Sequence, residues 1–145
     1  QWMDLSFNNS QDFLQIQQEA FADVPNGMSY SEKEVKEIME NPMAKAGLIS
    51  DSKGSLIGVA EWEIKEEEFR IAMIGILPKE QGKGYGKSIL CYIVEKAQNY
   101  EKPISLLVAS KNDRACMLYE MAGFVSTEKV SDWYVTEDKM RKHRT

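Results

Sequence analysis

The 145-residue chain holds one histidine, two cysteines and four prolines. The single histidine, His143, stands third from the end, and its isolation removes whole mechanisms. A Ser-His-Asp triad, a Cys-His pair and a zinc site built on two or more histidines are all excluded within one chain, and no metal is expected. Cys91 and Cys116 fall in segments that read as helices. Without a secretion signal they read as buried thiols and not as a disulfide. No run of about 18 apolar residues exists, so no membrane span is expected. Gln1-Trp2-Met3-Asp4 has neither the basic start nor the apolar stretch of a signal peptide, and the chain reads as cytoplasmic.

Positive charge is also scarce. Eighteen Lys and Arg face 23 Asp and Glu, for a net charge of −5. Four of those basic residues, Lys139, Arg141, Lys142 and Arg144, crowd the last seven positions, so the rest of the chain is more acidic still. An acidic body disfavours nucleic acid and suits a cationic small molecule or a basic peptide, though it also serves solubility. With 43% apolar and 28% charged residues the composition is that of an ordinary globular domain. We read one domain over residues 1–138 and a basic tail over 139–145.

The patterns then alternate between helix and strand. Leu5–Phe7 reads as a short first strand. Ser10–Ala22 is an amphipathic helix with Ser10 as its cap. Val24-Pro25-Asn26-Gly27 is a loop, and Ser31 with Glu34 forms a capping-box pattern for a second helix that ends at Asn41-Pro42. Ala44–Ser50 and Ser55–Ile64 read as strands around the turn Asp51-Ser52-Lys53-Gly54. The second should place Leu56, Gly58, Ala60, Trp62 and Ile64 on one face, with Glu61 and Glu63 on the other. Phe69–Leu77 is apolar enough to be buried on both faces. A helix over Gly84–Tyr100, a strand over Pro103–Ala109, a helix over Asn112–Ala122 and a closing hairpin (Phe124–Lys129, Trp133–Thr136) complete a mixed α+β order.

The chemistry is concentrated in Ile74-Gly75-Ile76-Leu77-Pro78-Lys79-Glu80-Gln81-Gly82-Lys83-Gly84-Tyr85-Gly86-Lys87. This stretch leaves a buried strand, passes a glycine-rich turn and enters a helix. Backbone N–H groups and the positive end of the helix dipole make such a turn an anion site. Glycines let the chain approach a phosphate, and Lys83 and Lys87 add positive charge. Two familiar phosphate loops nearly fit. The Walker A pattern G-x-x-x-x-G-K-[ST] fails only at Gln81, but no convincing second magnesium ligand follows it. The G-x-G-x-x-G fingerprint fails because its third glycine comes one residue early.

Gln81-x-x-Gly84-x-Gly86 more closely resembles the pyrophosphate loop of the GNAT family of N-acetyltransferases, and Ile76-Leu77-Pro78 fits the residues before that loop. A second block, Asn112, Ala115, Leu118-Tyr119-Glu120 and Gly123-Phe124, follows at the spacing of the family. The resemblance is specific from about residue 69 to 125. It implies a GNAT-like acyl-CoA N-acyltransferase fold, with a mostly antiparallel mixed sheet of about 6–7 strands flanked by about four helices.

It further implies acetyl-CoA as co-substrate and direct attack by an amine in a ternary complex. Ile74 and Ile76 would bind the pantetheine arm through their backbone, Gln81 and Gly82–Lys87 (Gly82, Lys83, Gly84, Tyr85, Gly86, Lys87) the pyrophosphate, and Asn112 the cofactor arm. Tyr119 would return a proton to the leaving thiolate; a phenol of pKa about 10 suits that task. Some members carry a base in the middle of the strand before the loop, where this chain has Arg70, Ala72 and Ile74. Glu68 and Glu61 are then the candidate bases, each also readable as a surface carboxylate. The acceptor pocket is expected from Asp23–Tyr30 and the hairpin near Ser131–Tyr134, lined by Phe21, Met28, Tyr30, Trp62, Trp133 and Tyr134. The acceptor would be an amine or a basic peptide, and exposed strands near the C-terminus leave room for a homodimer. A non-catalytic acyl-CoA sensor and a P-loop nucleotide binder are the alternatives.

Overall fold

The structure is a computed structural model that describes residues 1–22, 29–107, 125–126 and 132–135. Among these residues seven strands form one sheet in the order β1-β2-β3-β4-β5-β7-β6. They are β1 (Trp2–Asp4), β2 (Ala44–Ser50), β3 (Leu56–Ile64), β4 (Phe69–Ile76), β5 (Ile104–Leu107), β6 (Val125–Ser126) and β7 (Asp132–Val135). Every pairing is antiparallel except β4 with β5. That parallel step requires a crossover, which α3 (Tyr85–Ala97) supplies. The helices α1 (Ser10–Phe21) and α2 (Glu32–Glu40) precede the long strands. The GNAT-like mixed sheet is therefore present; the expected helix over 112–122 lies outside the described residues.

Each face of the sheet has its own core. Under α3 lie Trp62, Phe69, Ile71, Ile104 and Leu106, packed on Ile89, Leu90, Ile93, Val94 and Ala97. The helical residues recur at three- and four-residue spacing, the stripe an α-helix turns toward a sheet. Under α1 and α2 lie Leu48, Val59, Met73 and Leu77, packed on Phe13, Ile16, Tyr30 and Val35. Burial of these faces from both sides explains why β4 is nearly all apolar.

Local chemistry marks several boundaries. The Ser31 hydroxyl accepts the Glu34 backbone N–H at 3.3 Å and caps α2. The Asp51 carboxylate accepts the N–H groups of Lys53 and Ser55 at 2.9 and 3.0 Å and closes the β2–β3 turn; these backbone bonds hold its pKa below the usual range.

Four expectations need correction. The first strand is Trp2–Asp4, not Leu5–Phe7; it pairs with Gly47–Ile49, while Phe7 lies exposed in a short 3-10 turn. Gly47 decides this register, since a Cβ there would lie 2.4 Å from the Trp2 indole. Ser10 is not the cap of α1 but its first residue, after Asn9. Leu56 does not share a face with Ala60 and Trp62. Ser50 pairs with Leu56 and Ile49 with Gly58, so Ile57 is an extra residue that reverses the alternation. Cys91 is exposed and free, because α3 buries positions 89, 90, 93, 94 and 97 and turns 91 away; Cys116 lies outside the described residues.

Candidate active site

A second irregularity lies on β4. Glu61 pairs with Met73 and Trp62 with Ile71, leaving Ala72 without a partner on β3. Ile71 and Ile74 both pack against the α3 cluster although they are three residues apart, as an inserted residue requires. On its other edge β4 pairs with β5 through Phe69↔Ile104, Arg70↔Ser105 and Ile71↔Leu106, and β5 pairs in turn with β7, Leu107 standing opposite Asp132.

Downstream, β4 delivers the chain into the glycine turn. Pro78–Glu80 forms one 3-10 turn, and the Gln81 side-chain amide donates to the Ile76 carbonyl at 3.1 Å, tying the turn to the strand end. Gly82 and Gly84 have φ of 84° and 86°, a left-handed conformation that favours glycine. Among the described residues nothing lies within 4 Å of where a Gly84 Cβ would stand. Gly84 caps α3 without a side-chain bond, and the first turn of α3 has no acidic residue. The amides of Tyr85, Gly86 and Lys87 therefore begin the helix with no intrahelical acceptor. Lys87 is exposed, whereas Lys83 pairs with Glu80 at 3.1 Å. The donor set fits a pyrophosphate: uncapped amides, a helix N-terminus and lysines.

The expected residues distribute unevenly. Ile74 and Ile76 sit half-buried between the bulge and the turn, and residues 81–87 form the turn itself. Asn112, Tyr119 and Met28 lie outside the described residues. Glu61 is 8% exposed, on the α1/α2 face of β3 directly across from Met73. Its Oε1 accepts a 2.6 Å hydrogen bond from the Tyr30 hydroxyl. Burial pushes the Glu61 carboxyl above the usual carboxylate range; the Tyr30 bond opposes this, and the charges of Glu63 and Glu34 add to the rise. Burial, followed by the Glu61 charge, pushes the Tyr30 phenol well above its ordinary value, so Tyr30 remains a donor.

Glu68 stands before the start of β4, at the end where Phe69 pairs with Ile104 of β5. It lies 3.5 Å from the Arg70 guanidinium and four residues from the bulge, a strand distance of about 13 Å. Trp62 does not join the expected acceptor lining. Neighbouring strand residues point to opposite faces, and Trp62 stacks under α3 with Trp2 and Phe69, at 5.2 and 6.2 Å between centroids. Phe21 is on the Glu61 side, where a Cβ on Gly75 would come within 2.8 Å of its ring. Trp133 and Tyr134 are placed by their backbone in β7, opposite Leu106 and Ser105. Sequence reasoning missed the bond from Tyr30 to Glu61 and the buried Gln17 behind it. An interior polar residue on the α1 stripe was the available signal.

The model of the acetyltransferase (GNAT) domain matches residues 14–136. The chain belongs to the GNAT acetyltransferase family. It is 30% identical over 105 residues to UPF0157 protein YqkA of Bacillus subtilis (strain 168), covering 72% of this chain and 30% of that protein. It is 26% identical over 130 residues to mycothiol acetyltransferase of Streptomyces griseus, covering 86% of this chain and 42% of that protein. The chain thus spans less than half the length of both relatives. Spermidine N-acetyltransferase from Vibrio cholerae, solved in complex with CoA and spermine, shares the fold with a TM-score of 0.76 at 19% identity, over 97% of each chain. Among the described residues no helix is long and apolar enough to cross a membrane.

Proposed function

We propose that this GNAT domain is an acetyl-CoA-dependent N-acetyltransferase acting on a primary amine. The observation that carries the reading is the continuity of bulge, strand end and uncapped glycine turn along residues 72–87. A pyrophosphate held at the start of α3 would leave the backbone of Ile74 and Ile76 to hold the attached arm along β4, toward Ala72 and the level of Glu61. Acetyl-CoA would supply an activated thioester there.

The acceptor nitrogen is protonated at neutral pH and must lose a proton before it can attack. Glu61 takes that proton, directly or through one water. Its buried, raised-pKa carboxyl is a stronger base than an exposed one, and its place across from Met73 sets it beside the bulge. Glu68, engaged by Arg70 at the far end of β4, is the weaker candidate. The carbon–nitrogen bond forms as the carbon–sulfur bond breaks; Tyr119 gives its proton to the thiolate and regains one from the acylated nitrogen, so that an acetamide and free CoA result and Glu61 later releases its proton to solvent. Asn112 adds a contact to the cofactor arm. Carboxylates at 61, 63 and 34 on the acceptor side favour a cationic amine, and the spermidine enzyme of the same fold is consistent with that class.

Thermal unfolding with acetyl-CoA, with ATP–Mg²⁺ and without ligand tests the reading. Acetyl-CoA at about 100 times its dissociation constant should add about 2.7 kcal/mol, a rise of about 5–10 °C. Gly84→Ala forces an L-residue into the left-handed region at about 1–2 kcal/mol and should abolish most of that rise. Loss of thioester absorbance on adding amines then measures transfer; a thiol reagent would also report exposed Cys91. A rise with ATP alone would restore the nucleotide-binding alternative. Binding without transfer to any amine would favour the sensor.

A further inference from the structure

Glu61 is separated by 31 residues from the hydroxyl that holds it, and that hydroxyl is itself tightly placed. The Tyr30 backbone N–H donates to the Gln17 side-chain carbonyl at 2.8 Å in the protein interior. The Tyr30 carbonyl accepts from the Gln18 side-chain amide at 3.0 Å. The next residue, Ser31, caps α2. Tyr30 is thus anchored to α1 on one side and to the start of α2 on the other, with its ring in the core and its oxygen on Glu61.

Gln17 calls for a reason. It is 0% exposed and lies among Phe13, Ile16 and Ala20, where an apolar residue of the same size would pack without needing hydrogen bonds. Its carbonyl oxygen meets an amide that a buried chain must satisfy, and by doing so it fixes where the Tyr30 ring enters the core.

We propose that Tyr30 is a positioning residue for the acid–base group, with Gln17 as its clamp, holding the Glu61 carboxylate in one orientation and in its ionised form beside the β3–β4 bulge. The proposal rests on the reading of Glu61 as the proton acceptor. A short bond from a hydroxyl to a carboxylate favours the charged form and so opposes burial. The groups around Glu61 otherwise work against ionisation. Glu63 on β3 and Glu34 on α2 repel its charge, β4 presents Met73 across from it, and Arg70 of β4 stands opposite Glu63. Tyr30 is the donor that offsets them.

The test compares wild type with Tyr30→Phe and Gln17→Met in two measurements. In the pH profile of kcat/KM for the amine, Tyr30→Phe should displace the acidic limb to higher pH. The rate should fall about tenfold or more at the acid end and less than about threefold on the alkaline plateau. Gln17→Met should move the limb the same way by less, with the KM for acetyl-CoA unchanged in both. In a ¹³C NMR titration of the glutamate carboxyls, the signal missing in Glu61→Gln should titrate at higher pH in Tyr30→Phe. If both variants only lower the melting temperature, leaving limb and titration superimposable on wild type, the proposal is overturned. If Glu61→Gln keeps the wild-type rate, the base assignment falls by itself, and the carboxyl titration still decides whether Tyr30 holds Glu61 ionised.

Discussion

The two faces of the sheet are cut from the same strands yet bury different things. Under α3 the strands contribute Trp62, Phe69, Ile71, Ile104 and Leu106, and aromatic rings stack from Trp2 through Trp62 to Phe69 and on to Tyr100. Under α1 and α2 the same strands contribute Glu61, and the helical side adds Gln17 and Tyr30. The first face can be repacked by any residues of matching volume. The second contains polar groups whose removal leaves partners unsatisfied, a cost the fold carries where chemistry is expected.

Breaking that contrast should produce effects of graded size. Glu61→Gln retains the shape and can still accept the Tyr30 bond, yet should lower acetyl transfer by about 10²–10⁴-fold, the usual loss of a general base. The melting-temperature rise caused by acetyl-CoA should persist in this variant, which separates catalysis from binding. On the opposite face, Phe69→Ala should cost about 3–5 kcal/mol of stability by urea unfolding, and the shape of the pH–rate profile should not change.

The smallest effect is one of sign. Because Glu61 has a folded-state pKa above its unfolded value, the folded form binds the proton more tightly. Its stabilising contribution is complete below the unfolded pKa and is lost as pH rises through the folded one. Wild type should therefore lose stability against Glu61→Gln as pH rises above the ordinary glutamate range. Parallel curves for the two proteins would mean that Glu61 is not a buried titrating group.

How much of this was legible in sequence depends on the range of the forces involved. The strand Ala44–Ser50 and the α2 cap at Ser31 are decided by neighbours a few residues away, and both stand as read. The glycine turn was equally plain, since positive φ at 82 and 84 is a local demand. Cys91 was misread although the helical stripe around it already turned that position outward. The bulges at Ile57 and Ala72 were not legible, because an extra residue is defined only against the partner strand. The same holds for Glu61. Its alternation with Trp62 and its neighbour Glu63 suggest a solvated edge, and only α1, Tyr30 and the cover they form make it interior.

The late arrival of β5 beside β4 has a consequence for how the chain is made. Strands β1 to β4 lie within residues 2–76, whereas β5 starts at residue 104. As a ribosome releases the chain, a four-stranded ladder can assemble while β4 is still its outer strand, and unpaired outer strands recruit other chains. The kink at Ala72 and the charge of Arg70 are the features that would spoil such a template. The irregularity proposed to admit a thioester would then also have guarded the nascent protein against its own copies.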